Sequence, residues 1–388
     1  MKRRWLSRNL ILLALVSLAQ DAASELLYPL LPILLTGVIG AAPLALGLIE
    51  GCAEAAAGFT KLVTGGASDR FGRKRFVIAG YSLAGIGKGL VVVATSWPLV
   101  FLGRVTDRIG KGMRSAPRDA LIADSVGSED LGKAFGFHRT GDNIGAVIGP
   151  GIALIGLALL DGDVRAVAAW ALIPAIISAL LTLFIRDSFV KPKKQTKVSN
   201  KLYRKKLPVP LKRTIFLLTL IQLTNIPDAL LLLRLHDIGF STQGVVLSYM
   251  LFSAVTVIAA YPAGLITDKL SPQIVYAIGL SAFAIAYFLL GITESHSVAI
   301  LAIALYGLFP ALTDGVGKAW IAKISSADNR GYAQGFYQAS MSFAVLAAGI
   351  WGGLIWSKDA MQIPLIIAAV GAAIGGSVLA VMHLTQKS

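Results

Sequence analysis

Long apolar segments follow one another along almost the whole chain and are separated by short polar turns. The pattern predicts twelve helices, over residues 9–35, 43–65, 76–95, 98–118, 134–158, 167–186, 213–234, 241–264, 273–292, 297–320, 331–356 and 361–384. Each segment is long enough to cross a hydrocarbon layer roughly 30 Å thick. We therefore expect an all-α, polytopic membrane protein with twelve transmembrane helices.

Composition supports this interpretation. Of 388 residues, 55% are hydrophobic and only 15% are charged, and the mean hydropathy is +0.71. A soluble chain of this length carries more charge. The formal charge of +15 would suit a nucleic-acid-binding protein. However, the cations cluster between apolar segments, so we expect a lipid bilayer and no nucleic acid as partner. The single cysteine, Cys52, excludes an intrachain disulfide.

The distribution of lysine and arginine predicts the topology. These residues concentrate at the N-terminus, in the segment 187–212 and in the other loops expected on that side, whereas turns 36–42, 96–97, 159–166 and 293–296 contain almost none. The positive-inside rule then places both termini in the cytoplasm and the protein in the cell membrane. The basic start resembles a secretory signal, but we expect an uncleaved first helix because the apolar stretch continues.

Three short motifs occur twice, in the same order. The pairs are Gly65-x3-Asp69 with Gly264-x3-Asp268, Asp107-x2-Gly110-Lys111 with Asp314-x2-Gly317-Lys318, and Gly132-x-Ala134 with Gly331-x-Ala333. Ordered repeats of this kind indicate duplicated halves. We expect two pseudo-symmetric six-helix bundles, over residues 1–186 and 213–388, joined by a basic cytoplasmic linker over 187–212.

The segment between the second and third predicted helices reads Gly65-x3-Asp69-Arg70-x-Gly72-Arg73-Lys74-Arg75. It resembles the loop signature of the major facilitator superfamily of transporters. The resemblance implies a V-shaped pair of bundles with helices one, four, seven and ten around a central cavity, exposed alternately to each side. The gating loop would comprise Gly65, Asp69, Arg70, Gly72 and Arg73, with Asp69 accepting from backbone donors at a helix start. In the second copy Ser271-Pro272 replaces the glycine and the basic run, so a weaker gate is expected there.

Ionisable residues inside membrane spans point to function or to structural pairing. The first two predicted helices hold four acids at i,i+4 spacing, which we take as proton-coupling candidates: Asp21, Glu25, Glu50 and Glu54. The fourth helix has a charged stripe of Arg104, Asp107, Arg108, Lys111 and Arg114, and Pro117 is expected to end or bend the helix before Arg118.

Depth along the helices places Asp21, Glu50 and Glu54 near Arg104, Asp107 and Arg108, so a mid-membrane network is expected. It would be either a static lattice of ion pairs that holds the helices in register or a site in which a surplus carboxylate exchanges protons.

The substrate-cavity candidates combine the charged stripe with polar residues of the second half: Arg104, Asp107, Arg108, Lys111, Asp228, Asp314 and Lys318. The spacing allows Asp107 to pair with Lys111 and Asp314 to pair with Lys318. An aromatic wall, or alternatively packing and lipid contacts, is expected from Tyr249, Phe252, Tyr306, Trp320, Phe336 and Tyr337. We expect His138 to be solvated or capping, with a proton carrier as the alternative. Lys88 is expected to snorkel or to pair with a neighbour.

The fifth helix contains Gly145-x3-Gly149-Pro150, which resembles an element of the proton-driven exporters of the same superfamily; small-x3-small spacing is also common in helix packing. Metalloprotease, phosphate-loop and nucleophile-elbow motifs are absent from the sequence. We therefore expect no enzyme and no cofactor or metal, and ATP drive only if another chain supplies it.

The predicted function is proton-coupled export of a small organic molecule by a monomer. The alternative is a proton-coupled symporter that imports an anionic solute, which the cationic stripe on the fourth helix would favour. The third interpretation is a membrane enzyme or a receptor. The short loops do not offer a site for either of these functions.

Overall fold

The computed structural model describes residues 6–127, 130–186, 207–325, 330–357 and 361–385. Within these ranges the chain forms the twelve predicted helical passes. They are α1 (Arg8–Val38), α2 (Pro43–Phe71), α3 (Arg73–Val92), α4 (Trp97–Asp124), α5 (Leu131–Leu159), α6 (Val164–Thr182), α7a (Val209–Gln222) with α7b (Asp228–Asp237), α8 (Thr242–Lys269), α9 (Pro272–Ile292), α10 (His296–Ile324), α11 (Arg330–Ile355) and α12 (Gln362–Thr385).

Nine of these described helices are long and apolar enough to cross a membrane by composition alone. The three that fall short are α2 and α4, which carry several of the charged residues within the spans, and α7, which is divided. Charge inside a span is costly in lipid unless it faces protein or a water-filled cavity. The helices that look least like membrane spans are thus the first places to search for function.

The start of α1 and the end of α12 lie at one end of the bundle, which we call the terminal face. There the Asn9 side chain bonds the backbone of Arg186, Arg73 pairs with Asp124, and Ser271 bonds His383. The positive-inside rule predicts that this face is cytoplasmic. The other end is called the opposite face below. Most of the predicted linker lies outside the described residues, and α7a already begins at Val209, before the predicted boundary at residue 213.

Glycines bring helices into close contact within the first half. A Cβ on Gly145 or Gly149 of α5 would collide with the carbonyl oxygen of Leu18 or Ala22 on α1. Only glycine permits this approach of two backbones, which is how small residues stabilise membrane helix pairs. Gly145 and Gly149 therefore pack α5 against α1.

The two halves meet along α2 and α11, mostly on the opposite side of the bundle. A Cβ on Gly47 would collide with the carbonyl oxygen of Gly349, and one on Gly353 would lie 2.8 Å from the Cα of Leu44. Further towards the middle, Gly58 would meet the Ser342 side chain at 2.6 Å. Because the approaches at Gly47 and Gly353 leave no space for water or substrate, the halves are closed together on the opposite side.

Three local expectations were wrong. The presumed loop at 65–75 is mostly helix: α2 continues to Phe71 and only Gly72, at φ 97°, separates it from α3. Asp69 therefore lies in the last turns of α2 and not at a helix start. Of the two alternatives for Pro117, an end of α4 is wrong, because the helix continues to Asp124, as expected where lipid offers no other partners for the backbone groups; a bend stays a prediction. The seventh span is broken before Asp228 instead of being continuous.

Candidate functional site

A buried ion network joins three helices of the first half. Arg104 on α4 donates two hydrogen bonds of 2.8 Å to Glu50 on α2, from Nε to Oε1 and from Nη2 to Oε2. Lys88 on α3 donates to Asp107 at 2.7 Å, and Asp107 also lies 3.5 Å from Arg104. None of the four side chains is more than 5% exposed. Lys88 thus pairs with a neighbour, one of the two expected alternatives.

Asp107 does not pair with Lys111, so that expectation was wrong. Its carboxylate points to Lys88 because α3 and α4 are pressed together: a Cβ on Gly87 would lie 2.5 Å from the backbone of Asp107. The Lys111 side chain instead lines the cavity between the halves. Arg104 and Asp107 are cavity candidates that the structure places inside the network, away from the residues that line this cavity.

A second ion pair separates the network from open space. Arg108 Nε lies 3.4 Å from Glu54 Oε1, without the geometry of a hydrogen bond. The Glu54 side chain is 38% exposed and lines the cavity, whereas that of Arg108 is 13% exposed. Since Glu54 is accessible and its partner is not, this pair can respond to what occupies the cavity.

The cavity itself has a volume of about 590 Å³ and lies between the halves, towards the terminal face. Its walls come from α2, α4, α10 and α11. Its charged and amide lining residues are Glu54, Lys61, Lys111, Asp314, Lys318, Gln334 and Gln338. Three lysines, contributed by both halves, face two carboxylates. A space of this size suits a small organic molecule.

Three of the cavity-lining side chains have no partner among the described residues. Lys61 donates to Gln338 across the halves at 2.8 Å. The side chains of Lys111, Asp314 and Lys318 make no hydrogen bond or ion pair with any described residue, so the expected Asp314–Lys318 pair is absent there. All three are exposed, and water can solvate them without direct pairing. These are free groups that a bound solute can engage.

On the opposite side the site is covered by contacts between the halves. Tyr249 on α8 donates a hydrogen bond to Glu25 on α1, and its ring lies 5.4 Å from that of Tyr28. The Arg104 guanidinium lies 5.7 Å from the centre of the Tyr28 ring, a distance typical of a cation–π contact. The ion network is therefore in contact with the residues that close the site on the opposite side.

Three of the predicted aromatic residues stack in a row, but none of the six lines the 590 Å³ cavity. Tyr249, Phe252 and Tyr306 follow one another at ring distances of 5.8 and 5.2 Å. Tyr306 also donates to Asp228 at 2.6 Å, so Asp228 bonds within the second half and is not among the residues lining the 590 Å³ cavity. The other three aromatic candidates differ in exposure: Trp320 and Tyr337 are buried, whereas Phe336 is 44% exposed.

The acids of α1 lie outside the buried network. Asp21 is partly buried and makes no hydrogen bond or ion pair with a described residue, so its expected place beside Arg104 was wrong. The reason is rotation about the helix axis: Asp21 faces Gly145 on α5, whereas α2 supplies the partner of Arg104. The surroundings of Gly65 and the side chains of Asp69 and Arg70 are outside what the structure describes, and Arg73 pairs with Asp124 in its own half.

Sequence reasoning missed Lys61 and the Glu25–Tyr249 contact. Lys61 follows Glu54 by seven residues, two helical turns on the same face of α2, and this spacing could have revealed it. The expectation of a solvated His138 was also wrong, because its side chain is buried and bonds Ser17. The Tyr249 contact joins residues 224 positions apart, and no local pattern reports it.

Two six-helix halves around a polar cavity define a multi-pass membrane transport protein. The family model of the Major Facilitator Superfamily matches residues 13–225 and 214–387. The chain therefore belongs to this superfamily and is one of its transporters.

Relatives and solved structures agree. The chain is 30% identical to an uncharacterized MFS-type transporter of Methanocaldococcus jannaschii, over 97% of this chain and 95% of that one. It is 24% identical to the multidrug resistance protein MdtH of Klebsiella pneumoniae, over 86% and 82% of the two chains. A mutant of the nucleoside transporter NupG superimposes with a TM-score of 0.80 over 97% of this chain and 100% of that one, at 16% identity. This last likeness shows the fold.

Proposed function

We propose that this transporter exports a small organic molecule in exchange for protons, by alternating access between its two halves. The observation that carries the proposal is the cavity of about 590 Å³ whose ionisable lining comes from both halves. A solute held there touches both bundles at once, so its binding can change the relative energy of their two arrangements. The similarity to MdtH, a multidrug resistance protein, supports export.

Proton coupling is proposed for the acids of α1 and α2. Asp21 is the first candidate because no ion pair with a described residue holds its charge in place. Glu25, Glu50 and Glu54 follow. Glu25 bonds Tyr249 in the other half, and Glu54 lies at the cavity. Protonation of such a carboxylate changes its attraction for cations or for the partner half, which is the differential interaction that coupling requires.

We propose that the segment from Gly65 to Arg73 gates the terminal face. Gly72 supports this role because its φ of 97° allows the reversal between α2 and α3 without strain. The residues involved would be Gly65, Asp69, Arg70, Gly72 and Arg73, as the family resemblance implies.

The test uses the purified protein in liposomes. Counterflow against a panel of labelled small molecules identifies a substrate without any ion gradient. The same substrate is then followed with a pH gradient imposed. Antiport predicts that the substrate accumulates in the compartment that protons leave, and that a protonophore abolishes the accumulation. Robust counterflow without any substrate accumulation in response to the pH gradient would contradict proton coupling, with protein-free liposomes as the control.

A second candidate is proton-coupled import of an anionic solute, favoured by the three cavity lysines, Lys61, Lys111 and Lys318. The same experiment separates the two. In symport the solute accumulates in the compartment that protons enter, which is the reverse of antiport. The charge of the substrate found by counterflow adds an independent criterion.

A further inference from the structure

A second polar cluster lies inside the first half, among α1, α3, α4 and α5, and none of its members lines the cavity. Ser17 Oγ is at its centre, 2.9 Å from His138 Nε2, 3.0 Å from the Tyr81 hydroxyl and 3.2 Å from Arg118 Nη1, which donates to it. Ser17, Tyr81 and His138 are at most 3% exposed. Four polar side chains thus meet where the surrounding helices are apolar.

Asp142 continues the cluster one helical turn further along α5. Its Oδ2 lies 3.6 Å from His138 Nδ1 and 3.9 Å from Arg139 Nη1. Next on the same path is Asp21, whose Cβ is 3.2 Å from the position of a Cβ on Gly145, three residues beyond Asp142. His138, Asp142 and Asp21 therefore form a line of titratable groups from the terminal side towards the middle of the bundle.

The cluster contains buried polar atoms without a partner among the described residues. They are both amide atoms of Gln20, one carboxylate oxygen of Asp142 (Oδ1) and Arg114 Nη1. Gln20 is 1% exposed, Arg114 5% and Asp142 8%. Gln20 lies one turn from Ser17 on the same face of α1, and Arg114 stacks 4.4 Å from the Tyr81 ring. Buried groups of this kind are normally satisfied by ordered water.

We propose that this cluster is a hydrated proton-binding site in which Asp142 accepts the proton and His138 links it to the terminal face. The inference rests on the proton coupling proposed above. In the binding step a hydronium ion transfers one proton to the Asp142 carboxylate, which becomes a carboxylic acid, and releases a water molecule. The proton then has a short path to Asp21.

The groups around Asp142 explain why the ligand is a proton and not a metal ion. The charged and titratable groups near it are Asp21 from α1, Arg114 and Arg118 from α4, and His138 and Arg139 from α5. Tyr81 from α3 belongs to the cluster through its contact with Ser17. The arginines oppose the uptake of any cation, and a metal ion would in addition need several anionic oxygens at close range. A proton needs one acceptor and a chain of hydrogen bonds, and the cluster supplies both.

The experiment compares Asp142→Asn with the wild type in liposomes, using a substrate found by counterflow. The variant should keep counterflow and lose pH-gradient-driven flux by about tenfold, because the amide cannot take up the proton. The Asp142→Glu variant should retain the flux driven by the pH gradient. The matched control is Asp161→Asn, an exposed aspartate in the α5–α6 turn at φ 50°, a conformation that asparagine tolerates.

Other outcomes separate this inference from the function on which it rests. A wild-type protein without pH-driven flux overturns the proposed function itself. Two results overturn the proton site alone. In the first, the wild type shows pH-driven flux and Asp142→Asn retains it in full. In the second, the variant folds but loses counterflow together with the pH-driven flux. The proton site is also overturned if a sodium gradient at constant pH drives flux in the wild type and Asp142→Asn loses this sodium-driven flux. If Asp142→Asn does not fold, the His138→Gln variant is measured in its place. A pH-driven flux of His138→Gln equal to that of the wild type refutes the proton site.

Discussion

Arg104 and Glu50 are joined by two parallel hydrogen bonds of 2.8 Å, and their side chains are only 2% and 4% exposed. The planar guanidinium matches the carboxylate in this arrangement, which fixes α2 relative to α4 as well as neutralising both charges. Helix α2 also contacts the second half through Gly47. The Arg104–Glu50 pair therefore fixes the position of the helix through which the two halves close on the opposite side.

Arg104→Gln should destabilise the protein strongly. Removal of one partner leaves the Glu50 carboxylate buried and unpaired, at a cost of about 3–5 kcal/mol. The double variant Glu50→Gln with Arg104→Gln should recover much of the loss. Thermal unfolding in detergent measures both, and Arg139→Gln, whose side chain is 76% exposed, is the control. A single variant as stable as the control would show that this pair contributes little.

Asp21→Asn should remove the dependence of flux on a pH gradient and leave substrate exchange intact. The amide is nearly isosteric but cannot be protonated in the relevant range, so one step of the coupling cycle disappears. Liposome flux with and without the gradient gives the comparison. Should driven flux survive in each single amide variant of Asp21, Glu25, Glu50 and Glu54, the coupling group lies elsewhere.

Substitution of the cavity lysines should discriminate by substrate charge. Lys111→Gln and Lys318→Gln should each weaken binding of an anionic substrate by about tenfold, because a charge-assisted hydrogen bond is lost, and should barely affect a neutral analogue. Arg108→Ala should act similarly if its charge reaches the cavity beside Glu54. Competition in counterflow yields the affinities, with Lys323→Gln, which does not line this cavity, as control. Equal losses for both ligands would make these cations structural.

Gly47→Ala should open the opposite side. The added Cβ collides with the carbonyl oxygen of Gly349, so the closed arrangement becomes unfavourable. Spin labels at positions 41 and 357, in a background with Cys52→Ala, should report a longer distance than in the parent protein. Gly151→Ala is the matched control, since nothing lies within 4 Å of its new Cβ. Identical distance distributions for the two variants would refute this role of the glycine contact.

Asp69→Asn should abolish transport with near-normal expression and folding, since the family resemblance assigns the carboxylate to the gate. The equivalent change in the second copy, Asp268→Asn, should have a smaller effect, because Ser271-Pro272 replaces the glycine and basic run there. Flux in liposomes and size-exclusion profiles provide the measurements. Transport close to wild type in Asp69→Asn would remove the gating role.

The sequence by itself determined the class of the protein. Twelve apolar segments of sufficient length, cations between them and three ordered repeats are local properties, and lipid allows such segments hardly any structure other than helices. The same reasoning located the acids of α1 and α2 and the charged stripe of α4, because charge inside a span is rare and visible in the sequence. It also identified Lys111, Asp314 and Lys318, which line the cavity.

Only the tertiary structure decided which charged groups meet. Asp107 binds Lys88 instead of Lys111, Glu25 binds Tyr249 in the other half, and Asp21 turns towards α5. Helical periodicity shows which residues share a face, but the rotation of each helix about its axis is set by its neighbours. Here the contacts at glycines such as Gly87, Gly145 and Gly47 set that rotation, and they form between segments that are distant in the chain.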